Sequence, residues 1–411
     1  MRLKKYQSIF ENSISLFALK AIDLGLTIGL IPFLIVKVGI HNYGVYAFAM
    51  AMLLFMVNIM NYGFNLSTVR EIAKHKNDQT FLNNCFNEVF SVKLLLYAVL
   101  MLVLIFLVCF VPKFENHSSL YLFGSLILFS EVFSTRWFFF GLEKMKYITL
   151  MSLVGNFIFV ILVLLYVTLE QDFVYIALFE GIGMSVATIG GFFVIVKKFN
   201  FHLRLLSLKQ IWTYLKINFS SFVNLLLPST YNVTLVFIVG LLGVPTQVSF
   251  IQIGVKLSAV FSTIITILSS VFYPVLNRKR KNNYPLRSIL VGLGLMLSVF
   301  MFLFSKFIIV TWLHFDNDED VANLVGIVKL LSFVPFLIAI VASFGVNGLL
   351  VSLKDKLFSR ITVVSSLFML VAAIVLVPRF PLYGGAFAFV IGKVVHASLA
   401  YVGFRKNNNY V

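Results

Sequence analysis

Charged residues inside otherwise apolar stretches are the most informative chemistry of this sequence. In SLFALKAIDLGLTIGLIPFL, residues 15–34, Lys20 and Asp23 stand three residues apart near the middle. A charge at the centre of a membrane-spanning helix costs at least about 2.5 kcal/mol to insert. Residues at i and i+3 share a helix face, so the two charges either form a local ion pair or face a polar pathway.

Further charged residues stand within apolar stretches, and their sign differs between the two halves of the chain. The deep carboxylates all lie in the first half: Asp23, Glu131 and Glu180. The deep lysines all lie in the second half: Lys256, Lys329 and Lys393. Three more cations lie near the ends of their stretches, where long side chains can extend to the lipid headgroups: Lys93, Arg136 and Lys306. So many costly charges indicate a polar interior pathway.

The composition identifies the medium in which the chain folds. Of its 411 residues, 60% are hydrophobic and only 12% are charged, whereas a soluble domain has about 25% charged residues. So much apolar surface cannot be hidden in a water-soluble fold, and lipid must be the solvent for most of the chain. The sequence therefore predicts an all-α polytopic membrane protein.

The helices that must position these charges follow from the length of the apolar stretches. A helix needs about 20 apolar residues to cross the hydrocarbon. Stretches of this kind predict twelve spans: 13–36, 44–66, 88–111, 119–140, 147–168, 173–196, 214–241, 246–274, 287–312, 321–350, 358–377 and 382–403. With both termini in the cytoplasm, nearly all basic residues of the connections fall inside, and Lys37, Lys113 and Arg379 are the exceptions. This bias follows the positive-inside rule.

The twelve spans divide into two sets of six. The segments VGIHNYGVYAFA (38–49) and LGVPTQVSFIQI (242–253) stand at equivalent places in the two sets. An even number of helices in each half predicts parallel repeats, with two six-helix lobes around a central cavity. The predicted division is an N-terminal lobe at 1–196, a cytoplasmic linker at 197–213 and a C-terminal lobe at 214–411.

Several kinds of chemistry lack their sequence signals. No G-x-x-x-x-G-K-[ST] loop occurs, so ATP is not the expected direct energy source. Histidine and cysteine do not cluster, so no metal is predicted. The net charge of +17 is dispersed over many loops, which disfavours nucleic-acid binding. We therefore predict no cofactor, with H⁺ or Na⁺ as the coupling ion.

Five segments of the sequence carry motifs of a known family. VGIHNYGVYAFA (38–49) and MNYGFNLSTVREIAKHKND (60–78) resemble the start of the Wzx-type O-antigen flippases, and RWFFFGLEKMKYITL (136–150) is similar to the W-F-F-Q-G-x-E-K-M-K-Y segment of that family. FYPVLNR (272–278) and FGVNGLLVSLKDK (344–356) resemble two later junctions. Asn61 and Phe140 depart from the residues that are common in the family, Asp and Gln.

The resemblance implies the multidrug/oligosaccharidyl-lipid/polysaccharide exporter superfamily, with two lobes that open alternately to each side. It implies an undecaprenyl-pyrophosphate-linked oligosaccharide repeat unit as substrate, which is moved from the cytoplasmic to the periplasmic leaflet of the bacterial inner membrane. The substrate would serve an O-antigen or a similar surface polysaccharide. A polymerase and a chain-length regulator of the same pathway are the implied protein partners.

Such a substrate gives the intramembrane charges a role. A sugar-pyrophosphate head loses its water partners in hydrocarbon, and its phosphates favour lysine and arginine. The predicted substrate-binding residues are therefore six cations: Lys256, Lys329, Lys393, Arg70, Arg136 and Lys20. The predicted coupling carboxylates are Asp23, Glu131 and Glu180, and Asp23 is the first choice because it is deepest in its span.

Two other functions remain open from the sequence. A cation-coupled drug antiporter of the same superfamily would share the fold, but it would favour an acidic cavity rather than three deep lysines. A membrane-embedded O-antigen polymerase would need a long periplasmic loop with basic residues. The longest predicted outside loop is short and acidic, around residues 313–320.

Overall fold

The chain is helical throughout the part that the structure describes. The computed structural model describes the backbone of residues 2–65, 67–279, 284–313, 315 and 317–408, and most side chains from residue 25 onward. Within these ranges there is no strand, and ten helices are long and apolar enough to cross a membrane. The predicted class, an all-α polytopic membrane protein, is confirmed.

The ten helices fall on the predicted spans. The first covers Ile28–Met60 and overlaps both of the first two predicted spans, and each of the other nine overlaps one. The seventh predicted span, 214–241, lies in a long helix whose side chains are only partly described. The count of twelve stays a prediction.

A long N-terminal helix joins the first two predicted spans. Helix α1 (Arg2–Met60) is interrupted at Gly39, whose φ of 79° and ψ of 159° are not helical. A positive φ favours glycine, because a Cβ would clash with the backbone. Pro32, about two turns earlier, cannot donate a helical hydrogen bond. The interruption thus falls in VGIHNYGVYAFA, where the sequence predicts a junction.

The chain forms two compact units. Unit 1 contains Met1–Leu30 and Ala49–Thr230, and unit 2 contains Ile31–Phe48 and Tyr231–Val411. The segment around the α1 interruption therefore belongs with the second half of the chain, whereas the predicted linker belongs with the first.

Unit 1 is built around the helices that follow α1. They are α2 (Ser67–Lys74), α3 (Gln79–Phe110), α4 (Pro112–Glu115), α5 (Ser118–Gly124), α6 (Leu126–Val132), α7 (Arg136–Gly141), α8 (Met145–Tyr166), α9 (Phe173–Lys198) and the first part of α10 (Leu208–Leu242).

Aromatic rings form the centre of unit 1. The Phe86 ring centroid lies 5.9 Å from that of Phe138, 5.3 Å from Phe192 and 5.1 Å from Phe201. All four side chains are buried. Burying a side chain of this size stabilises the fold by about 1.5–3 kcal/mol relative to leaving it exposed, so this cluster joins α3, α7, α9 and the segment after α9.

The segment after α9, inside the predicted linker, is docked along α3. The Asn87 amide donates to the His202 carbonyl at 2.9 Å and accepts from the Arg204 N–H at 3.1 Å. The Leu206 N–H donates to Ser91 Oγ, also at 3.1 Å. These side chains pair with backbone groups of a segment that has no regular secondary structure, so the segment is held on unit 1.

The motifs of unit 1 that resemble a known family serve packing. In NYGF, Gly63 has a φ of 80°, and the Tyr62 ring stacks on Phe222 at 4.5 Å between centroids. In RWFFFG, the Phe139 ring stacks on Tyr147 at 4.8 Å. Most of these residues therefore hold the connections of unit 1 against its helices.

Unit 2 contains the rest of α10 and the helices that follow. They are α11 (Pro245–Lys279), α12 (Tyr284–Leu303), α13 (Ser305–Trp312), α14 (Asp318–Leu331), α15 (Phe333–Ile340), a π-helix (Val341–Leu350), α16 (Asp355–Arg379) and α17 (Gly384–Asn408).

A close backbone contact joins residues 31–48 to the rest of unit 2. A Cβ at Gly44 would overlap the carbonyl oxygen of Pro245. Ser249 Oγ donates to the Ile40 carbonyl at 2.5 Å, and the Phe48 ring stacks on Phe237 at 5.7 Å. Only glycine allows α1 to approach α11 this closely.

We expect Gly44→Ala to destabilise unit 2 by about 1–3 kcal/mol, because the added methyl group meets a backbone atom that cannot rotate away. Thermal unfolding of the purified protein measures the effect. Gly292→Ala in α12 is the matched control, since no atom lies within 4 Å of its added Cβ. An unchanged midpoint for Gly44→Ala would contradict the contact.

Candidate functional site

The fourth predicted span, 119–140, is a broken helix. The chain forms α5, α6 and α7 in succession, and residues 133–135 between α6 and α7 are not helical. Within hydrocarbon, a backbone carbonyl without a donor costs several kcal/mol. Two carbonyl groups at this break have a local donor: the Ser134 N–H donates to the Glu131 carbonyl at 3.2 Å, and Trp137 Nε1 donates to the Ser134 carbonyl at 3.0 Å.

Lys93 of α3 adds a second donor to each of these carbonyl groups. Its Nζ donates to the Glu131 carbonyl at 3.1 Å and to the Ser134 carbonyl at 3.3 Å. The same Nζ forms an ion pair with Glu131 Oε1 at 2.5 Å. The Lys93 side chain is 1% exposed and that of Glu131 is 15% exposed. One ammonium thus hydrogen-bonds to two carbonyl groups at the break and neutralises a carboxylate.

The interpretation of Lys93 as a residue that extends to the headgroups is wrong. The predicted span began at residue 88, which put Lys93 near a helix end, whereas α3 begins at Gln79. Lys93 therefore lies more than three turns inside the helix, and its partner stands in another span.

A polar cavity lies beside the break. It has a volume of about 130 Å³ for water-sized molecules. Its polar lining comes from α6, the break, α7, α8 and α9, through Ser130, Glu131, Ser134, Arg136, Ser152, Asn156 and Thr188. Arg136 Nη2 donates to Ser152 Oγ at 3.3 Å. Two predicted site residues, Glu131 and Arg136, thus line one cavity.

The lining can bind a polar group by hydrogen bonds. Arg136 offers several donors in a planar fork, Glu131 offers acceptors, and Asn156 offers both. The Glu131 charge is already compensated by Lys93, so the uncompensated charge at the lining is the guanidinium of Arg136. Such a site suits a hydroxyl-rich or anionic group better than a cation.

The three deep lysines lie on three helices of unit 2. Lys256 is half-buried on α11, Lys329 is exposed on α14, and Lys393 is half-buried on α17. Lys329 Nζ lies 5.6 Å from the centroid of the Phe302 ring, and Lys393 Nζ lies 5.1 Å from that of Phe389. Their convergence on a substrate stays a prediction.

The other predicted residues are separate from the cavity of unit 1. Arg70 of α2 has a side chain that is 77% exposed, with its Nε 4.0 Å from Glu71. A hydrogen bond from Lys74 holds the pKa of Glu71 below its usual value, so Glu71 is an anion at neutral pH.

Glu180 is half-buried on α9. The side chains of Lys20 and Asp23 lie outside the described residues.

Arg287 is a buried cation that the sequence indicated only as a basic residue of a connection. Its side chain lies within unit 2, where the residue is 7% exposed. Its Nη2 donates to the Asn347 carbonyl of the π-helix at 3.3 Å, and its guanidinium carbon lies 4.1 Å from the centroid of the Phe404 ring. Asn347 in turn donates to Ser269 Oγ at 2.8 Å. Arg287 therefore ties α12 to the π-helix and α17.

The polar residues that complete the cavity of unit 1 had one sequence signal. The string SEVFSTR, residues 130–136, is a polar run inside an apolar span. Such a run indicates a helix that is broken or faces a polar space. Ser152, Asn156 and Thr188 are isolated in their spans and gave no comparable signal.

Solved structures with the same fold are membrane transporters. The lipid II flippase MurJ in an inward closed conformation superposes with a TM-score of 0.72 at 17% identity, over 96% of this chain and 87% of that chain. An inward-facing multidrug resistance transporter of the MATE family has a TM-score of 0.70 at 15% identity, over 93% of this chain and 94% of that chain.

Relatives identified by sequence similarity point to the same class, membrane transporters. Residues 9–280 match the family described as polysaccharide biosynthesis protein. A proposed O-antigen transporter of Escherichia coli (strain K12) is 24% identical over 97% of both chains. One of Shigella dysenteriae is 28% identical over 45% of this chain and 49% of its own.

The chain therefore belongs to the polysaccharide biosynthesis protein family, and its class is that of a multi-pass membrane transporter. The predicted resemblance to O-antigen flippases and the prediction of a transporter rather than an enzyme are both confirmed.

We expect Lys93→Met to lower the free energy of unfolding by about 3–5 kcal/mol, because it leaves a largely buried carboxylate unpaired. The double variant Lys93→Met/Glu131→Leu should recover part of this loss. Unfolding of the wild type, Lys93→Met, Glu131→Leu and the double variant in the same detergent gives a coupling energy between the two side chains, which we expect to exceed about 1 kcal/mol.

Lys306→Met is the control for this cycle, since it removes an exposed lysine of α13 and should change stability by less than about 0.5 kcal/mol. Additive effects of the Lys93 and Glu131 substitutions would contradict the ion pair.

Proposed function

We propose that this protein is a flippase for undecaprenyl-pyrophosphate-linked oligosaccharide repeat units. It moves them from the cytoplasmic to the periplasmic leaflet of a bacterial inner membrane by alternating access, with both of its own termini in the cytoplasm. The product serves an O-antigen or a similar surface polysaccharide, and a polymerase and a chain-length regulator are the expected partners.

The polar cavity of unit 1 is the observation that carries this proposal. A hydroxyl-rich head can enter a membrane protein only where hydrogen-bonding groups replace its water. Arg136, Asn156 and four nearby hydroxyl groups offer such partners within the apolar spans. The full-length relation to a proposed O-antigen transporter and the fold shared with a lipid II flippase support the same class of substrate.

A drug antiporter is the alternative, because the MATE transporters share the fold. Cationic drugs favour acidic sites, whereas the Glu131 carboxylate is compensated by Lys93 and the deep charges of unit 2 are lysines. These charges favour an anionic, glycosylated substrate over a cation.

Deletion of the gene in its host tests the function directly. We expect surface polysaccharide to disappear and the lipid-linked repeat unit to accumulate on the cytoplasmic leaflet, while drug sensitivity stays unchanged. Complementation with the wild-type gene should restore the polysaccharide. Loss of drug resistance with normal polysaccharide would overturn the proposal in favour of the antiporter.

The unit 2 lysines provide a sharper test. Replacing any two of Lys256, Lys329 and Lys393 with Gln should abolish complementation while the protein still inserts, because the pyrophosphate loses its positive partners. Lys306→Gln together with Lys113→Gln is the matched double control, since neither residue belongs to the predicted site. Normal polysaccharide from all three pairs would contradict the assignment.

Ion coupling requires a separate measurement. In proteoliposomes without polymerase, transport should respond to an imposed H⁺ or Na⁺ gradient, and Asp23→Asn should remove that response, because a coupling ion must bind the two access states with different affinity. Glu180→Gln and Glu131→Gln test the other two carboxylates in the same assay. A rate that neither the gradient nor Asp23→Asn changes would leave Asp23 as the structural partner of Lys20.

A further inference from the structure

The surroundings of the Lys93 ammonium are those of a bound cation. Three oxygens contact Nζ at 2.5–3.3 Å: Glu131 Oε1, the Glu131 carbonyl and the Ser134 carbonyl. An ammonium has three N–H donors, so each proton has one acceptor. The group is saturated by its neighbours.

The site is electronegative for reasons that do not depend on Lys93. The Glu131 carbonyl belongs to the last turn of α6, and the Ser134 carbonyl follows directly in the break. Each carbonyl also accepts a local hydrogen bond, from the Ser134 N–H and from Trp137 Nε1 respectively, and its second lone pair remains for a cation. The Glu131 carboxylate adds a full negative charge at the same place. Without a cation, this carboxylate would stand uncompensated beside two carbonyl oxygens in a low-dielectric surrounding.

We propose that Lys93 is the tethered occupant of a monovalent-cation site formed by Glu131 and Ser134. Its ammonium takes the position that a free cation would otherwise fill. Lys93 is also a positioning residue, because it fixes the break that places Ser134 and Arg136 on the cavity of unit 1. A variant that keeps the oxygens and loses the ammonium should bind an external ammonium ion. This binding does not rest on the proposed function, because it needs no substrate.

Lys93→Met is the variant of choice. Methionine matches the length of the lysine stem and lacks only the terminal nitrogen, so it leaves a gap of the size of an ammonium ion. We expect ammonium chloride to raise its thermal unfolding midpoint in a saturable way, by about 2–4 °C beyond the response of the wild type. Tetramethylammonium chloride at equal ionic strength is the control, because it has the charge but no N–H donor.

Lys93→Ala provides a second, independent test with a different probe. The truncation removes three methylene groups and the ammonium, so n-propylammonium has the shape of the missing part. It should stabilise Lys93→Ala more than ammonium does, and Lys93→Met less than ammonium does. This exchange of preference is an outcome that a purely structural loss of packing would not produce.

Adding Glu131→Gln to either variant should abolish the response, because the site loses its full negative charge. The proposal is overturned if neither variant responds to its probe beyond the wild type, or if tetramethylammonium acts as well as ammonium. A response that survives Glu131→Gln would place the bound ion elsewhere and would overturn it too. If Lys93→Ala does not accumulate in the membrane, the Lys93→Met series decides the question.

Discussion

Hydrocarbon offers no hydrogen-bond partner to a peptide group, and the structure of unit 1 depends on how that constraint is met at one place. Between α6 and α7 the chain leaves the helix inside a membrane span, and the Lys93 ammonium donates hydrogen bonds to two carbonyl groups at this break. The same ammonium compensates Glu131, so two costly features of the span are resolved by one side chain. Removing it would leave the Glu131 carboxylate uncompensated and would take one of two donors from each carbonyl.

The break has a consequence for the cavity beside it. A continuous helix would direct Ser134 and Arg136 by the ordinary helical period, whereas the break starts α7 with a new orientation. Arg136 then reaches Ser152 of α8, and the cavity gains a guanidinium in a hydroxyl-rich lining whose carboxylate, Glu131, is compensated by Lys93. The rest of α7 packs into the aromatic centre of unit 1 through Phe138, which fixes the position of α7.

Unit 2 uses a buried cation in a comparable way. Arg287 donates to a carbonyl group of the π-helix, whose wider turns depart from the regular α-helical pattern. The Phe404 ring covers the guanidinium. In both units, a basic side chain from one helix thus stabilises an irregular stretch of another. The family motifs add tight contacts. In VGIHNYGVYAFA, for example, Gly44 lets α1 approach α11 closely.

The sequence by itself determined the class, the position of most spans and two of the cavity residues. The thickness of the hydrocarbon imposes a length on every spanning helix, so apolar stretches are readable without a structure. Glu131 and Arg136 were also readable, because a charge in such a stretch is too costly to be incidental.

Tertiary structure alone decided what those charges do. Lys93 and Glu131 are 38 residues apart, and no local pattern indicates that α3 and α6 bring them together. The direction in which Lys93 points, the break in the fourth predicted span and the polar groups contributed by α8 and α9 all depend on which helices are neighbours. Hydropathy is a property of single segments, whereas the pairing of buried charges is a property of their packing.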